Sequence, residues 1–167
     1  MKLTEAQSKF IQTWGVLGGN WGINKTMAQI HALLMAWPDP LCTEDMMEIL
    51  QISRGNTNMN VRSLMDWGLV TKEMISGDRK DYYAAKKDIW VIARQIAKER
   101  RKRELEPVLS SLKDIRQSLK SDPSAENIKF SKQVEDIENF TLKVDQSLDK
   151  FIQSDENWFL KLVMKMM

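Results

Sequence analysis

Arg54, Asn56, Asn58 and Arg62 fall close together in the run SRGNTNMNVRSLMDWGLV. Guanidinium groups pair bidentately with guanine O6/N7, and carboxamides do the same with adenine N6/N7. Ser53, Thr57 and Met59 complete the candidate contact set on this segment. A second basic feature follows in TKEMISGDRKDYY, where Arg79 and Lys80 can rest on phosphate or enter a minor groove. Each feature has a plainer reading, a solvated polar helix face and a merely soluble hairpin tip.

Such side chains need a scaffold, and the spacing supplies one. Ser53 is placed to cap a helix in which Thr57, Val61 and Leu64 make an inward stripe and Asn58, Met59, Arg62 and Ser63 lie opposite. Gly68 ends that helix, and Leu69-Val70 opens a strand. Ser76-Gly77-Asp78 carries hairpin-turn chemistry, and Tyr82 and Tyr83 lie on the return strand. A polar-fronted helix followed directly by a two-stranded basic hairpin is the layout of a winged helix-turn-helix. That layout places a helix in a major groove and a wing on the adjacent backbone.

The elements upstream fit a helical domain. Phe10, Ile11, Trp14 and Leu17 have helical spacing, and GGNWG reads as a terminator. Asn24 is placed to cap a helix bearing Met27, Ile30, Leu33 and Leu34, which the two prolines of WPDP stop. Thr43 is expected to cap TEDMMEIL, whose first turn carries Glu44 and Asp45. Downstream, a helical pattern runs from Lys86 into KERRKREL, and Pro107 predicts a kink or a fresh start. Leu105, Val108, Leu112, Ile115 and Leu119 then step as a heptad seam. After Ser121-Asp122-Pro123-Ser124 a second seam runs through Phe130, Val134, Ile137, Thr141, Val144, Leu148 and Phe151. Two such stripes would pair as an antiparallel hairpin or mate with a second copy. The expected architecture is mainly α: a winged helix-turn-helix domain over residues 1–105, and a coiled-coil-like dimerisation region over 106–167.

Composition narrows the function. The chain of 167 residues carries a net charge of only +2, but the charge is uneven. Between Arg54 and Arg103, thirteen Lys and Arg face six Asp and Glu, whereas from Pro107 onward the counts are nine and ten. The basic excess sits where the candidate reader sits. One Cys and one His leave little room for a disulfide, a Cys-based metal site or a Ser-His-Asp triad. With no Gly-rich phosphate loop either, no enzyme site assembles, and no cofactor is expected. MKLTEAQSKF does not read as a signal peptide, and no run suits a membrane span. A cytoplasmic protein without a membrane partner is the expectation.

Residues from about Asn20 to Pro107 resemble the MarR-type winged-helix transcription regulators, in particular their GbsR-like branch. The resemblance rests on GNWGINKTMAQIHALLM, PDPLCTEDMMEIL, SRGNTNMNVRSLMDWGLV, GDRKDYY and KERRKRELEP. It covers a little over half of the chain, and its reader and wing are the more specific part. Asn60 departs from it, standing where a small apolar residue is expected, and the tail from Ser121 matches nothing in it. The resemblance implies a homodimer on a pseudo-palindromic operator, terminal helices that build the dimer, and a grip that a small molecule can weaken. Some relatives of this branch respond to choline-type signals.

That implication directs attention to the aromatics. Trp14, Trp21 and Trp90 are candidates for an effector site, since indole faces attract quaternary ammonium groups. Core or dimer packing is the plainer role for tryptophans at helical spacing. His31, among apolar neighbours, reads as a satisfied core or interface residue. Cys42, near a helix start, has a setting that can lower a thiol pKa, but an inert thiol is the plainer role for a lone cysteine. The terminal WFLKLVMKMM reads as buried against a partner subunit rather than lying on a membrane surface. Together these readings point to a sequence-specific DNA-binding transcriptional regulator, a repressor in its expected direction. A winged-helix scaffold for protein–protein contact is the alternative.

Overall fold

The computed structural model describes residues 2–20, 22–121 and 124–154, with only the backbone described at 125 and 126. The chain packs as two units, Met1–Ile92 and Ala93–Met167.

The first unit is built around α2 (Lys25–Ala36). Its residues Met27, Ala28, Ile30, His31, Ala32, Leu33 and Leu34 are all buried, so the helix is covered on several sides rather than along one stripe. Asn24 caps it, its Oδ1 accepting from the Thr26 and Met27 amides at 2.8 and 3.2 Å. α1 (Glu5–Asn20) packs on it, continuing through Gly15, Gly18 and Gly19 and ending within the GGNWG run that reads as its terminator. At Gly18 a Cβ would lie 2.5 Å from that of Ala28, so this glycine permits close approach of two helix backbones. The helix terminates at Gly22, whose φ of 74° is left-handed. The Gly22 amide donates to the Gly19 carbonyl and the Ile23 amide to the Gly18 carbonyl, satisfying the last turn.

β1 (Leu41–Cys42), α3 (Thr43–Leu50) and α4 (Arg54–Asp66) follow, then β2 (Val70–Met74) and β3 (Asp81–Ala85). β3 lies between its two neighbours and pairs antiparallel with both, Leu41 opposite Tyr83 and Lys72 opposite Tyr83 on the other edge. The expected two-stranded wing is therefore a three-stranded sheet. The extra strand follows Pro40, whose fixed φ suits extended backbone. Cys42, not Thr43, is the N-cap of α3: its amide donates to the Asp45 carboxylate at 3.0 Å, and Thr43 is the first helical residue. The core joins Ile30, Leu33 and Leu34 with Leu41, Met46, Thr57, Val61, Leu64, Leu69 and Val70.

The second unit takes in most of α5 (Ile89–Arg100), then α6 (Glu106–Ser121) and α7 (Ala125–Gln153), the last capped by Ser124. Pro107 is the second residue of α6, and a widened turn separates it from α5. Residues Arg101–Leu105 form a single wide π-helical turn in which the Glu106 amide donates to the Arg101 carbonyl. Proline has no N–H and its ring crowds the carbonyl four residues back, which a locally widened turn relieves. α6 and α7 pack together through Leu112, Val134 and Thr141, while Val108, Ile115, Phe130 and Ile137 of the expected seams remain exposed. Arg101 grips Asp145 with two hydrogen bonds of 2.6 and 3.0 Å and Asp149 with a third of 3.1 Å. Arg116 pairs with Glu138 at 2.7 Å. Leu105, Leu119, Val144, Leu148 and Phe151 are half-buried, and charged pairs supply part of the helix–helix contact. Among the described residues, no helix is long and apolar enough to cross a membrane.

Candidate nucleic-acid interface

α3 and α4 meet in a tight turn at Gln51, which holds a left-handed φ of 54° without being glycine. Its amide closes α3 by donating to the Met47 carbonyl. Ser53 then starts α4, its Oγ accepting from the Asn56 amide at 3.3 Å. One face of α4 is sealed into the core by Thr57, Asn60, Val61 and Leu64. Ser53, Arg54, Met59 and Arg62 are exposed on the other side.

Thr57 must be removed from the candidate contact set. Its side chain has no exposure at all, and its hydroxyl donates to the Ser53 carbonyl at 3.0 Å. It belongs to the inward stripe, and a buried hydroxyl cannot reach a base or phosphate. Asn56 and Asn58 are half-buried and partly spoken for. Asn60 donates its amide to Asn56, at 2.8 Å to the carbonyl and 2.7 Å to Oδ1. The buried polar residue at position 60 is thereby satisfied by its own helix. Asn58 Oδ1 accepts from the Thr43 hydroxyl of α3 at 3.3 Å. Both carboxamides are oriented from inside the domain, which the sequence did not show.

The wing stands beside this helix. Gly77, with φ of 87°, turns the chain, and Asp78 organises the return. Its Oδ1 accepts from the Lys80 amide at 3.0 Å, and its Oδ2 from the Tyr82 hydroxyl at 2.8 Å. That hydrogen bond to a carboxylate pushes the Tyr82 pKa up to about 12. Lys72 and Asp81 pair across the strands at 2.9 Å. Arg79 and Lys80 are exposed in the turn leading into β3.

Helix and wing enclose an open polar cleft of about 350 Å³, lined by Thr43, Glu44, Arg54, Asn58, Arg62, Arg79, Lys80, Asp81 and Tyr83. Four cations from two elements converge there. Sequence reasoning missed Glu44, whose Oε1 accepts from Arg54 Nη2 at 2.7 Å. Its acidic character at a helix start was visible, but its reach to a residue ten positions on was not. The carboxylate sits below its ordinary range through its own helix's backbone N–H and the Arg54 hydrogen bond.

The remaining candidates lie elsewhere. Trp14 is half-buried, its ring 5.5 Å from Phe10 and 6.4 Å from His31. Trp90 is half-buried in the first turn of α5, its amide bonded to Asp88 Oδ1 at 2.8 Å. Trp21 and the WFLKLVMKMM segment lie outside the described residues. His31 is buried as expected but not satisfied: Nε2 has no hydrogen-bond partner among the described residues, and burial lowers the pKa to about 4. Cys42 follows the plainer reading of an inert thiol and not the lowered pKa that a helix start allows. It is buried, and burial together with the Asp45 carboxylate pushes the thiol pKa up.

This geometry defines a winged-helix class of fold, a helix pair followed by a basic hairpin. A crystal structure of a transcriptional regulator is similar in fold to this chain, with a TM-score of 0.67 at 14% sequence identity over 88% of this chain and 95% of that one. No protein-family model matches the chain, and no curated protein does.

Proposed function

We propose that the protein is a sequence-specific duplex-DNA-binding transcriptional regulator, acting as a dimeric repressor at a pseudo-palindromic operator. The observation that carries this reading is the cleft where Arg54 and Arg62 of α4 meet Arg79 and Lys80 of the wing. Exposed guanidinium groups on a helix suit guanine edges, and cations on an adjacent hairpin suit phosphate or a narrow minor groove. Met59, exposed between the arginines, suits a thymine methyl. The solved regulator of like fold supports the assignment.

Apolar residues left exposed in the second unit, among them Ile128, Phe130 and Phe140, favour a second copy as partner. Two copies would set their α4 helices about 34–36 Å apart, one turn of duplex. A small-molecule effector acting through Trp14, Trp21 and Trp90 is part of the same proposal. The test is selection of bound duplex from a genomic pool, followed by anisotropy titration at about 50 and about 200 mM salt. A selected palindromic site, with affinity falling steeply in salt, supports the reading. No enrichment and no salt dependence would leave the scaffold reading in its place.

A further inference from the structure

We propose that Glu44 is a specificity-determining residue of the reading surface, holding Arg54 for a base edge and against capture by phosphate. The inference rests on the DNA-reading proposal and deepens it.

The pair joins two elements. Glu44 stands in the first turn of α3 and Arg54 is the first residue of α4, with 2.7 Å between Oε1 and Nη2. The two side chains are 43% and 60% exposed, so the contact contributes little to folding and is free to serve another end. The location is also an awkward one for a cation. The positive end of the helix dipole disfavours Arg54 there, and α4 has no acidic residue in its own first turn. A carboxylate supplied from α3 offsets that, and an arriving phosphate would do the same. Glu44 and the DNA backbone therefore compete for one guanidinium with the same charge-assisted geometry.

A guanine edge competes differently. Its O6 and N7 are uncharged acceptors, and a guanidinium has five N–H donors. Arg54 can offer two to guanine while Glu44 keeps another, whereas phosphate would have to settle beside the Glu44 charge. Phosphate contacts carry no sequence information, so deterring them on unrelated DNA raises the ratio of specific to non-specific binding.

The experiment compares wild type with Glu44→Gln on a duplex selected by the wild-type protein and on a random-sequence duplex, each at about 50 and about 200 mM salt. The variant should bind the random duplex about fivefold or more tightly at the lower salt, with the log–log slope steeper by about 0.9, one added phosphate contact. The selected duplex should gain less, so the specificity ratio falls. Adding Arg54→Ala should abolish the gain, tying it to that guanidinium. An unchanged thermal midpoint shows that Glu44→Gln has not altered the fold. Equal changes on both duplexes, or a gain that survives Arg54→Ala, would overturn the role of Glu44 while leaving DNA reading intact. Wild-type protein that binds neither duplex would overturn both.

Discussion

Arg62 projects from the exposed side of α4 into the cleft it shares with the wing. Its replacement by alanine should cost about 1–3 kcal/mol of binding and relax preference at one base pair if it reads a base. Binding assays across a panel of single-base variants would check this, and uniform weakening would assign Arg62 to phosphate. His31 answers to pH rather than to DNA. Its folded-state pKa of about 4 lies below the ordinary 6.5, so the unfolded chain takes up the proton first. The associated stability is full above the ordinary value and is lost as pH falls toward the depressed one. The loss is on the order of 3 kcal/mol. Thermal melts from neutral pH downward should show it, and His31→Leu should flatten that slope. The candidate contact residues were legible as types because guanidinium and carboxamide groups match the edges of guanine and adenine. Their tethers were not, since the Thr43–Asn58 and Glu44–Arg54 contacts join residues on different helices.

At the level of elements, caps and periodicity carried most of the information. Asn24 and Ser53 were readable as helix starts, and each accepts the expected backbone N–H. β1 escaped because two residues are too short to show an alternating pattern. The close helix contact at Gly18 escaped for a different reason. A glycine that lowers helix propensity and one that lets a neighbouring helix come close look the same in sequence. They separate on mutation. In an open helix Gly→Ala stabilises, whereas Gly18→Ala must push against Ala28 and should cost about 1–3 kcal/mol. Chemical denaturation midpoints, with Gly19→Ala as the unobstructed comparison, would decide the sign.

Over the whole molecule, the two units are held by different means. The first buries a broad aliphatic core around α2, whereas the second pairs a partly buried seam with charged contacts. Arg101→Ala should therefore loosen the second unit by about 1–2 kcal/mol, since it breaks a bidentate grip on a largely covered Asp145. Amide exchange should quicken in α6 and α7 and stay unchanged in α2 and α4. The Arg101 guanidinium also holds Asp145 below the usual carboxylate range, so this contribution fades as the solution becomes acidic.

The wide turn before Pro107 bears on tolerance to length change. Hydrogen bonding five residues back absorbs one more amino acid than a regular spiral would over the same rise. Each residue of an ordinary α-helix rotates its successors by about 100°, so a deletion in the middle of α6 would swing Leu112 away from α7. Losing either Lys102 or Arg103 would instead collapse the spare residue into normal winding and leave Leu112 still aimed at its neighbour. This helical run thus carries its own allowance for a one-residue shortening, placed where Lys102 and Arg103 are exposed.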